Sequence, residues 1–382
     1  MNKRVLYLLS FLIKGWEISL LLVLPVLQTQ GKINVFEIGI LATAFSLTQI
    51  TTYFFAGHLA EKFASKQVMT AAIVFYSLSW LILFLSSDFK TLLIAYCLGG
   101  IGQGCFVPLA NSQIAKLTDK NRAQEFGDFN AFTDIGRVLL TGLTTIMIGR
   151  MSIKMTGLIY SILAVMATFM FIKTTMSNAH IKDEAAKLVS IKILEIIKNK
   201  KFMIAVFSGV FDVFSSASLF IFIPLLLIPK GIDISQVGFL TGLFFTGYLI
   251  GRMVLSRLAD KYGSIKILVI SQICMAMLIF CLVFLSNFWI IAFVLFVFGV
   301  FTRGTSPIIR AMMADSVGDK AKFDKAFSFY SFSLGTSNAL SRSAYGFIAG
   351  ILGINSVFYL SAIVAVLTLI PLYLYKSLKH YA

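Results

Sequence analysis

Charged residues are scarce in this chain, and acidic residues are the scarcest of them. Only 13% of the 382 residues are charged, about half of the ~25% that is typical of a soluble domain. Hydrophobic residues make up 58%, and the mean hydropathy is +0.89. A single soluble core stops growing near ~250–300 residues. The composition therefore excludes a cytosolic enzyme, a disordered chain and a secreted disulfide scaffold. It predicts a polytopic membrane protein, whose first partner is the lipid bilayer.

Cysteine and histidine are also rare, which bears on metal and catalytic chemistry. The cysteines lie in apolar stretches, seven or eight residues apart, at Cys97, Cys105, Cys274 and Cys281. That spacing is neither a thiolate metal site nor a redox pair. The three histidines do not pair with another ligand, and the sequence has no phosphate-binding P-loop motif. We therefore expect no metal, no cofactor and no enzymatic activity.

Long apolar runs recur along the whole chain. A transmembrane helix needs about 20 mostly apolar residues. The runs predict twelve spans, at 5–27, 35–57, 68–87, 91–114, 126–149, 152–173, 202–228, 236–257, 267–286, 289–312, 326–350 and 355–375. The lysine-rich segment 174–201, which has an amphipathic pattern, separates a first bundle at 1–173 from a second at 202–382. The predicted fold is therefore an all-α polytopic membrane protein with two six-helix bundles.

The basic residues are distributed unevenly between the two sides of the predicted spans. The chain has 33 Lys and Arg against 17 Asp and Glu. If the N-terminus lies inside, 23 basic residues fall in cytoplasmic segments and five in outer loops. The positive-inside rule then predicts that both termini are cytoplasmic. We interpret the net charge of +16 as a signal of orientation in the plasma membrane (the inner membrane of a bacterium), and we expect no nucleic-acid partner.

The two halves of the sequence resemble each other at a constant shift of 199 residues. The run Leu59–Ser65 matches Leu258–Ser264, and the same shift relates Pro108 to Pro307. Since each half has six predicted spans, both halves begin on the same side of the membrane. The repeat is therefore parallel, about an axis along the membrane normal.

The residues after the second span resemble a signature of the major facilitator superfamily. The segment Gly57-His58-Leu59-Ala60-Glu61-Lys62-Phe63-Ala64 follows the family pattern, with Glu61 in place of Asp and Ala64 in place of Gly. The resemblance implies a cytoplasmic gate in which Glu61 faces the start of the eleventh span and Asp260 the start of the fifth. The gate residues it implies are Gly57, Glu61, Lys62, Arg122, Arg252, Asp260 and Lys261. The Gly-Pro step of the family's exporters is absent at Gly136-Arg137.

Several charges lie inside the predicted spans, where each costs roughly 2.5–3.5 kcal/mol on insertion scales. Seven of these charged residues, together with the uncharged Asn338 on the eleventh span, are the candidates for solute binding or proton coupling. They are Lys14, Glu17, Asp134, Arg137, Asp212, Arg303, Asn338 and Arg342. The resemblance implies that all of them fall on spans that surround a central cavity. Arg252 lies on such a span too, and its proximity in sequence to Asp260 favours either the gate or the cavity.

These charges admit more than one interpretation. Lys14 with Glu17, and Asp134 with Arg137, are either closed ion pairs or groups that face the solute. Glu17, Asp134 and Asp212 are the candidates to carry a coupling proton, because burial favours a neutral carboxyl group. An excess of arginine favours an anionic or zwitterionic solute. We expect a monomeric secondary transporter that works by alternating access and is coupled to protons. The alternatives are an efflux antiporter for drugs or metabolites and a lipid or lysolipid transporter.

Overall fold

The computed structural model describes residues 3–29, 33, 35–86, 88–118, 120–176, 193–216, 219–232 and 234–380. Within these ranges the regular structure is helical. The first part of the chain contains α1 (Lys3–Thr29), α2 (Val35–Phe63), α3 (Ser65–Leu85), α4 (Phe89–Leu117), α5 (Arg122–Arg150), α6 (Ile153–Met176) and α7 (Ile193–Ile197). The second contains α8 (Lys200–Ser216), α9 (Leu219–Leu227), α10 (Ile234–Tyr262), α11 (Ser264–Phe284), α12 (Phe288–Val317), α13 (Phe323–Leu352), α14 (Ile354–Leu367) and α15 (Leu369–His380).

The described residues form nine helical stretches that are long and apolar enough to cross a membrane. They are Ile40–Phe63, Ser65–Leu85, Phe89–Leu117, Arg122–Ile148, Ile153–Lys173, Phe239–Tyr262, Ser264–Phe284, Phe288–Val317 and Ile354–Tyr375. The other three predicted spans correspond to α1, to α8 with α9, and to α13. The all-helical membrane fold is thus confirmed, and the count of twelve spans stays a prediction.

The chain divides into two compact units. The first comprises the described residues of Met1–Leu117, Phe132–Lys192 and Ala321–Phe332, and the second those of Thr118–Ala131, Ile193–Lys320 and Ser333–Ala382. Each unit therefore includes the first turns of a helix that continues in the other. The predicted amphipathic segment lies mostly outside the described residues, which include only the short helix α7 at its end. The predicted bundle boundaries at 173 and 202 stay a prediction.

Helix packing follows the same scheme in each unit. In the first, α4 packs on α2 and α3, and α3 packs on α6. In the second, α12 packs on α10 and α11, and α11 packs on α14. Gly100 of α4 lies against the carbonyl oxygen of Phe45, and Gly299 of α12 lies against that of Phe244. Gly299 and Phe244 are numbered 199 above Gly100 and Phe45, respectively. The sequence repeat is therefore also a repeat of helix contacts. Small residues allow such close approach between membrane helices.

The turns between α2 and α3 and between α10 and α11 are equivalent, but their central residues differ. Gly263 has a φ of 99° and Ala64 a φ of 63°, with ψ values of 131° and 144°. Glycine adopts this part of conformational space readily, whereas a residue with a Cβ atom is strained there. The turn at Ala64 therefore keeps the positive φ of the turn at Gly263, and the alanine Cβ atom adds strain to it.

Candidate functional site

A hydrogen-bonded network surrounds Glu17 near the middle of α1. Lys14 Nζ lies 2.9 Å from Glu17 Oε2, and Gln103 of α4 donates to the same oxygen at 2.6 Å. Gln49 of α2 donates to Glu17 Oε1 at 3.5 Å, and Tyr76 of α3 donates to Gln103 at 2.7 Å. We call these five residues the α1 network. They come from four helices that the first unit packs together, so Glu17 is an ion-paired carboxylate in a polar pocket.

The charges of α5 lie beside the α1 network. Arg137 Nη1 is 3.6 Å from Asp134 Oδ1, one turn away on the same helix. Arg137 also interacts electrostatically with both Lys14 and Glu17. The structure thus brings four of the predicted site residues into one charge cluster with two cations and two carboxylates.

Asp212 on α8 has a different set of partners. Its side chain is buried, and Gln272 of α11 donates to its Oδ1 at 2.6 Å. Thr305 of α12 donates to the same carboxylate at 3.0 Å, and Arg303 interacts with it electrostatically. We call Asp212, Gln272, Thr305 and Arg303 the α8 network. The hydrogen-bond donors described for Asp212 are neutral, in contrast with the lysine on Glu17.

Two guanidinium groups flank Tyr248 of α10. The Cζ atoms of Arg252 and Arg303 lie 4.5 and 5.9 Å from the centre of the Tyr248 ring. Arg252 donates to the Tyr248 hydroxyl at 2.7 Å and to the backbone oxygen of Asn130 at 3.1 Å. Arg303 Nε is buried and has no hydrogen-bond partner among the described residues. The pair of arginines forms a positive site that is part of one unit.

The remaining predicted site residues, Asn338 and Arg342, are on α13, which contacts α8 through a hydrogen bond from Ser337 to the backbone oxygen of Val210 at 2.7 Å. Arg342 is exposed, and Asn338 is half-buried. Ser341 donates to the backbone oxygen of Asn338 at 3.0 Å. Their predicted role in solute binding stays a prediction.

At one end of the first unit, the start of α13 meets the ends of α2 and α4. Lys325 Nζ lies 2.7 Å from Glu61 Oε2, and Lys116 Nζ lies 2.8 Å from Asp324 Oδ2. Ser65 and Ser112 also donate to Asp324. We call these six residues the α13 cluster. Gly57 is buried beside it, and a Cβ atom there would come within 2.7 Å of the Lys325 Cα.

The second unit contains an equivalent cluster where the start of α5 meets the ends of α10 and α12. The backbone N–H of Gln124 donates to Asp260 Oδ2 at 2.6 Å, and Arg257 lies 3.3 Å from Asp128. Arg122 pairs with Asp315. We call these six residues the α5 cluster. Asp260 thus sits at the N-terminus of α5, where the helix dipole favours a negative charge.

The two clusters carry opposite charges at equivalent positions. Lys116 on α4 and Asp315 on α12 differ by the repeat shift of 199, yet one is a cation and the other an anion. Lys116 pairs with Asp324 at the start of α13, and Asp315 pairs with Arg122 at the start of α5. Lys62 and Lys261 are exposed, and their Nζ atoms lie 5.2 and 5.1 Å from the rings of Phe63 and Tyr262. These two predicted gate residues make no described ion pair in either cluster.

Sequence reasoning missed most of the partners of these charges. Lys116, Lys325 and Arg257 were counted only as cytoplasmic basic residues. Gln272 and Thr305 carry no charge and stand in apolar helices. Gln49 and Gln103 are polar helix residues whose type is consistent with interhelical hydrogen bonds, but the sequence does not identify their partner. The repeat shift applied to Lys116 would have indicated Asp315. No signal in a single sequence indicates the neutral partners, because their role depends on which helix faces meet.

Comparison with known proteins agrees with this architecture. The family model of the Major Facilitator Superfamily matches residues 6–230 and 205–380. Among the described residues, no group of three or more His, Cys, Asp or Glu side chains is arranged to hold a metal ion.

Individual relatives cover nearly the whole chain. An uncharacterised MFS-type transporter of Methanocaldococcus jannaschii, MJ1560, is 26% identical, over 91% of this chain and 90% of its own. The quinolone resistance protein NorA of Staphylococcus aureus is 24% identical, over 85% and 84%. The crystal structure of the E. coli fucose:proton symporter FucP superposes with a TM-score of 0.80 at 15% identity, over 97% and 98% of the two chains. This last likeness shows the fold alone.

Proposed function

The chain belongs to the Major Facilitator Superfamily, and we propose that it is a secondary transporter that moves a small solute across the plasma membrane by alternating access. The family and the fold are those of transporters. The finer proposals are that transport is coupled to protons, that the solute is anionic or zwitterionic, and that the protein works as a monomer.

The observation that carries the proposal is the buried carboxylate of Asp212 within a set of neutral donors. A carboxylate inside a membrane helix is costly and usually functional. Gln272 and Thr305 donate hydrogen bonds to Asp212, and neither carries a charge. A carboxyl group with such donors can take up and release a proton in each cycle without breaking an ion pair. Glu17 and Asp134 each have a cation within their cluster, so we assign them to solute binding.

The arginines around Tyr248 support an anionic or zwitterionic solute. A guanidinium group pairs with a carboxylate or phosphate through two parallel hydrogen bonds. Arg303 is the better candidate, because no hydrogen bond from its guanidinium group is described and its Nε is buried. Arg252 donates to Asn130 and Tyr248, so we assign it to positioning the ring between the two cations.

The α13 cluster, in the first unit, and the α5 cluster, in the second, support a gate. Since the positive-inside rule puts the helix ends that carry each cluster in the cytoplasm, we propose that both clusters close the cytoplasmic side. Breaking either one would raise the population of the state that is open to the cytoplasm. Gly57, Glu61, Asp260 and Arg122 are the predicted gate residues that this proposal uses.

Efflux of a drug or metabolite in exchange for protons is the second candidate. The relation to the quinolone resistance protein NorA favours it. The absence of the exporters' Gly-Pro step at Gly136-Arg137 is the reason that we rank it second.

Transport by reconstituted protein tests the proposal. Proteoliposomes with an imposed pH gradient are offered labelled monocarboxylates, amino acids, organophosphates and cationic dyes, and uptake is measured. We expect accumulation of an anionic or zwitterionic solute. Arg303→Ala should reduce its uptake at least tenfold, about 1.4 kcal/mol of lost binding, whereas Arg150→Ala, an exposed arginine at the end of α5, serves as the matched control. Transport of cationic compounds alone, at the same rate in Arg303→Ala, would favour efflux instead.

A labelling experiment tests the gate. Asn111 is buried on α4, one residue from the α13 cluster, so a cysteine placed there in a cysteine-free background reports opening at that end. In inside-out vesicles, Glu61→Gln and Asp260→Asn should each increase its reaction with an impermeant maleimide. Lys62→Gln, a neighbouring residue that makes no described ion pair in the cluster, should leave labelling unchanged. Equal labelling of all four proteins would contradict the gate.

A further inference from the structure

A groove of about 460 Å³ lies on the second unit, along α10, α11 and α12. Its walls are mostly apolar and include Leu255, Leu258, Ile270 and Phe301. All three helices meet the length and hydropathy of membrane spans. The groove therefore lies along helices with the properties of membrane spans. Membrane lipid is the ligand that is most abundant around such helices. We refer to it as the α10–α12 groove.

The two large polar side chains among the residues that line this groove lie at one end of it. Lys266 and Tyr262 line it on either side of the turn between α10 and α11, which is where both spans end. Tyrosine and lysine side chains are typical of the level of the lipid headgroups. A second ammonium group, on Lys261, lies 5.1 Å from the ring of Tyr262. This end of the groove is thus basic and complements a negatively charged headgroup.

One buried hydroxyl points to a ligand rather than to an empty surface. Ser271 is 1% exposed and lines the groove. Its Oγ has no hydrogen-bond partner among the described residues. A buried polar group without a partner costs about 1–3 kcal/mol. Ser271 lies five residues after Lys266 on α11, about 7.5 Å further along the helix axis.

The order of these groups matches the order of groups along a glycerophospholipid. A phosphate lies at the headgroup, ester carbonyls follow within a few bonds, and acyl chains follow the esters. Lys266 would meet the phosphate, the Ser271 hydroxyl would donate to an ester carbonyl, and the apolar wall would hold an acyl chain. We propose that the α10–α12 groove binds one anionic glycerophospholipid as a tightly held ligand. The lipid is a structural partner here and is not the transported solute.

Lipid retention by the purified full-length protein tests this proposal. The protein in detergent is titrated with dioleoyl phosphatidylglycerol or dioleoyl phosphatidylcholine. Native mass spectrometry counts the bound lipids, and melting temperature is measured in parallel. We expect one phosphatidylglycerol to be retained in preference to phosphatidylcholine, with a larger rise in melting temperature. Lys266→Gln should weaken phosphatidylglycerol binding about fivefold, the effect expected of one lysine near an anionic lipid.

Three further variants make the outcome decisive. Ser271→Ala removes the hydroxyl with little change in volume and should also weaken binding, while Ile270→Trp should fill the groove and abolish it. Lys154→Gln, an exposed lysine in the first turn of α6, is the matched control and should bind as the wild type does. Equal retention of the two lipids by the wild type would overturn the proposal. Undiminished phosphatidylglycerol binding in both Lys266→Gln and Ser271→Ala would overturn it as well.

Discussion

Glu17 and Asp212 are both carboxylates within predicted membrane spans, but the partners of Glu17 include a cation and the hydrogen-bond donors of Asp212 are neutral. Glu17 accepts hydrogen bonds from two glutamines and pairs with Lys14. Asp212 accepts from Gln272 and Thr305, both neutral. The sequence indicated both acids, because a charge in an apolar run stands out. It indicated Lys14 as a partner of Glu17, but not the neutral donors of either acid, since the helix that a glutamine or threonine faces cannot be read from a single sequence.

Ala64 gives a prediction about stability. Its backbone lies in a region that favours glycine, with a φ of 63°. Ala64→Gly should therefore raise the melting temperature, by the equivalent of about 1 kcal/mol. Gly263→Ala at the equivalent turn should lower it by a similar amount. Thermal unfolding in detergent measures both. A lower melting temperature in Ala64→Gly would contradict the assignment of strain to this turn.

The elements show how the repeat works in three dimensions. The shift of 199 was visible in loops and prolines, and it predicted a parallel arrangement of two similar halves. The structure extends it to helix contacts, in which α2, α3 and α4 pack as α10, α11 and α12 do. The family resemblance implied which helix starts Glu61 and Asp260 face, but the ion pairs of Lys116 and Asp315 could not be predicted, because these equivalent positions carry opposite charges. The charge of the partner is known only once the structure shows which two helix ends are in contact.

Close helix packing gives a second prediction. A side chain on Gly299 would collide with the backbone of Phe244 on α10. Gly299→Leu should therefore destabilise the protein by about 1–3 kcal/mol, the usual range for overpacking. Gly350 on α13 has open space around its Cα, so Gly350→Leu is the matched control. The melting temperatures of the two variants decide the matter. Equal melting temperatures would contradict the close approach.

The ion pair between Lys116 and Asp324 gives a third prediction. Lys116→Asp places two carboxylates together at the start of α13, so labelling of the cysteine at position 111 should rise about fivefold to tenfold. Adding Asp324→Lys restores an opposite-charge pair, and labelling should return close to the wild-type rate. This double-mutant comparison isolates the pair from other effects of each substitution. Additive increases in the double variant would show that the pair does not hold this end closed.

At the scale of the whole molecule, composition and charge were the most informative features of the sequence. They indicated a multi-pass membrane protein, and the fold and family agree. The direction of insertion rests on the basic residues alone. We expect fluorescent protein fused after residue 382 to fluoresce, and alkaline phosphatase fused there to be inactive, because the C-terminus is predicted to be cytoplasmic. Active phosphatase with a dark fluorescent fusion would reverse the orientation and assign the two clusters to the outer side.

Solute-driven proton movement is the most direct test of the central claim, secondary transport coupled to protons through Asp212. Proteoliposomes that contain a pH-sensitive dye receive the transported solute without an imposed pH gradient. We expect the interior pH to change with the wild type and with Arg150→Ala. Asp212→Asn should abolish the change and remain folded, because asparagine still accepts from Gln272 and Thr305. Solute uptake by the wild type without any change in pH, or full proton movement in Asp212→Asn, would contradict the account.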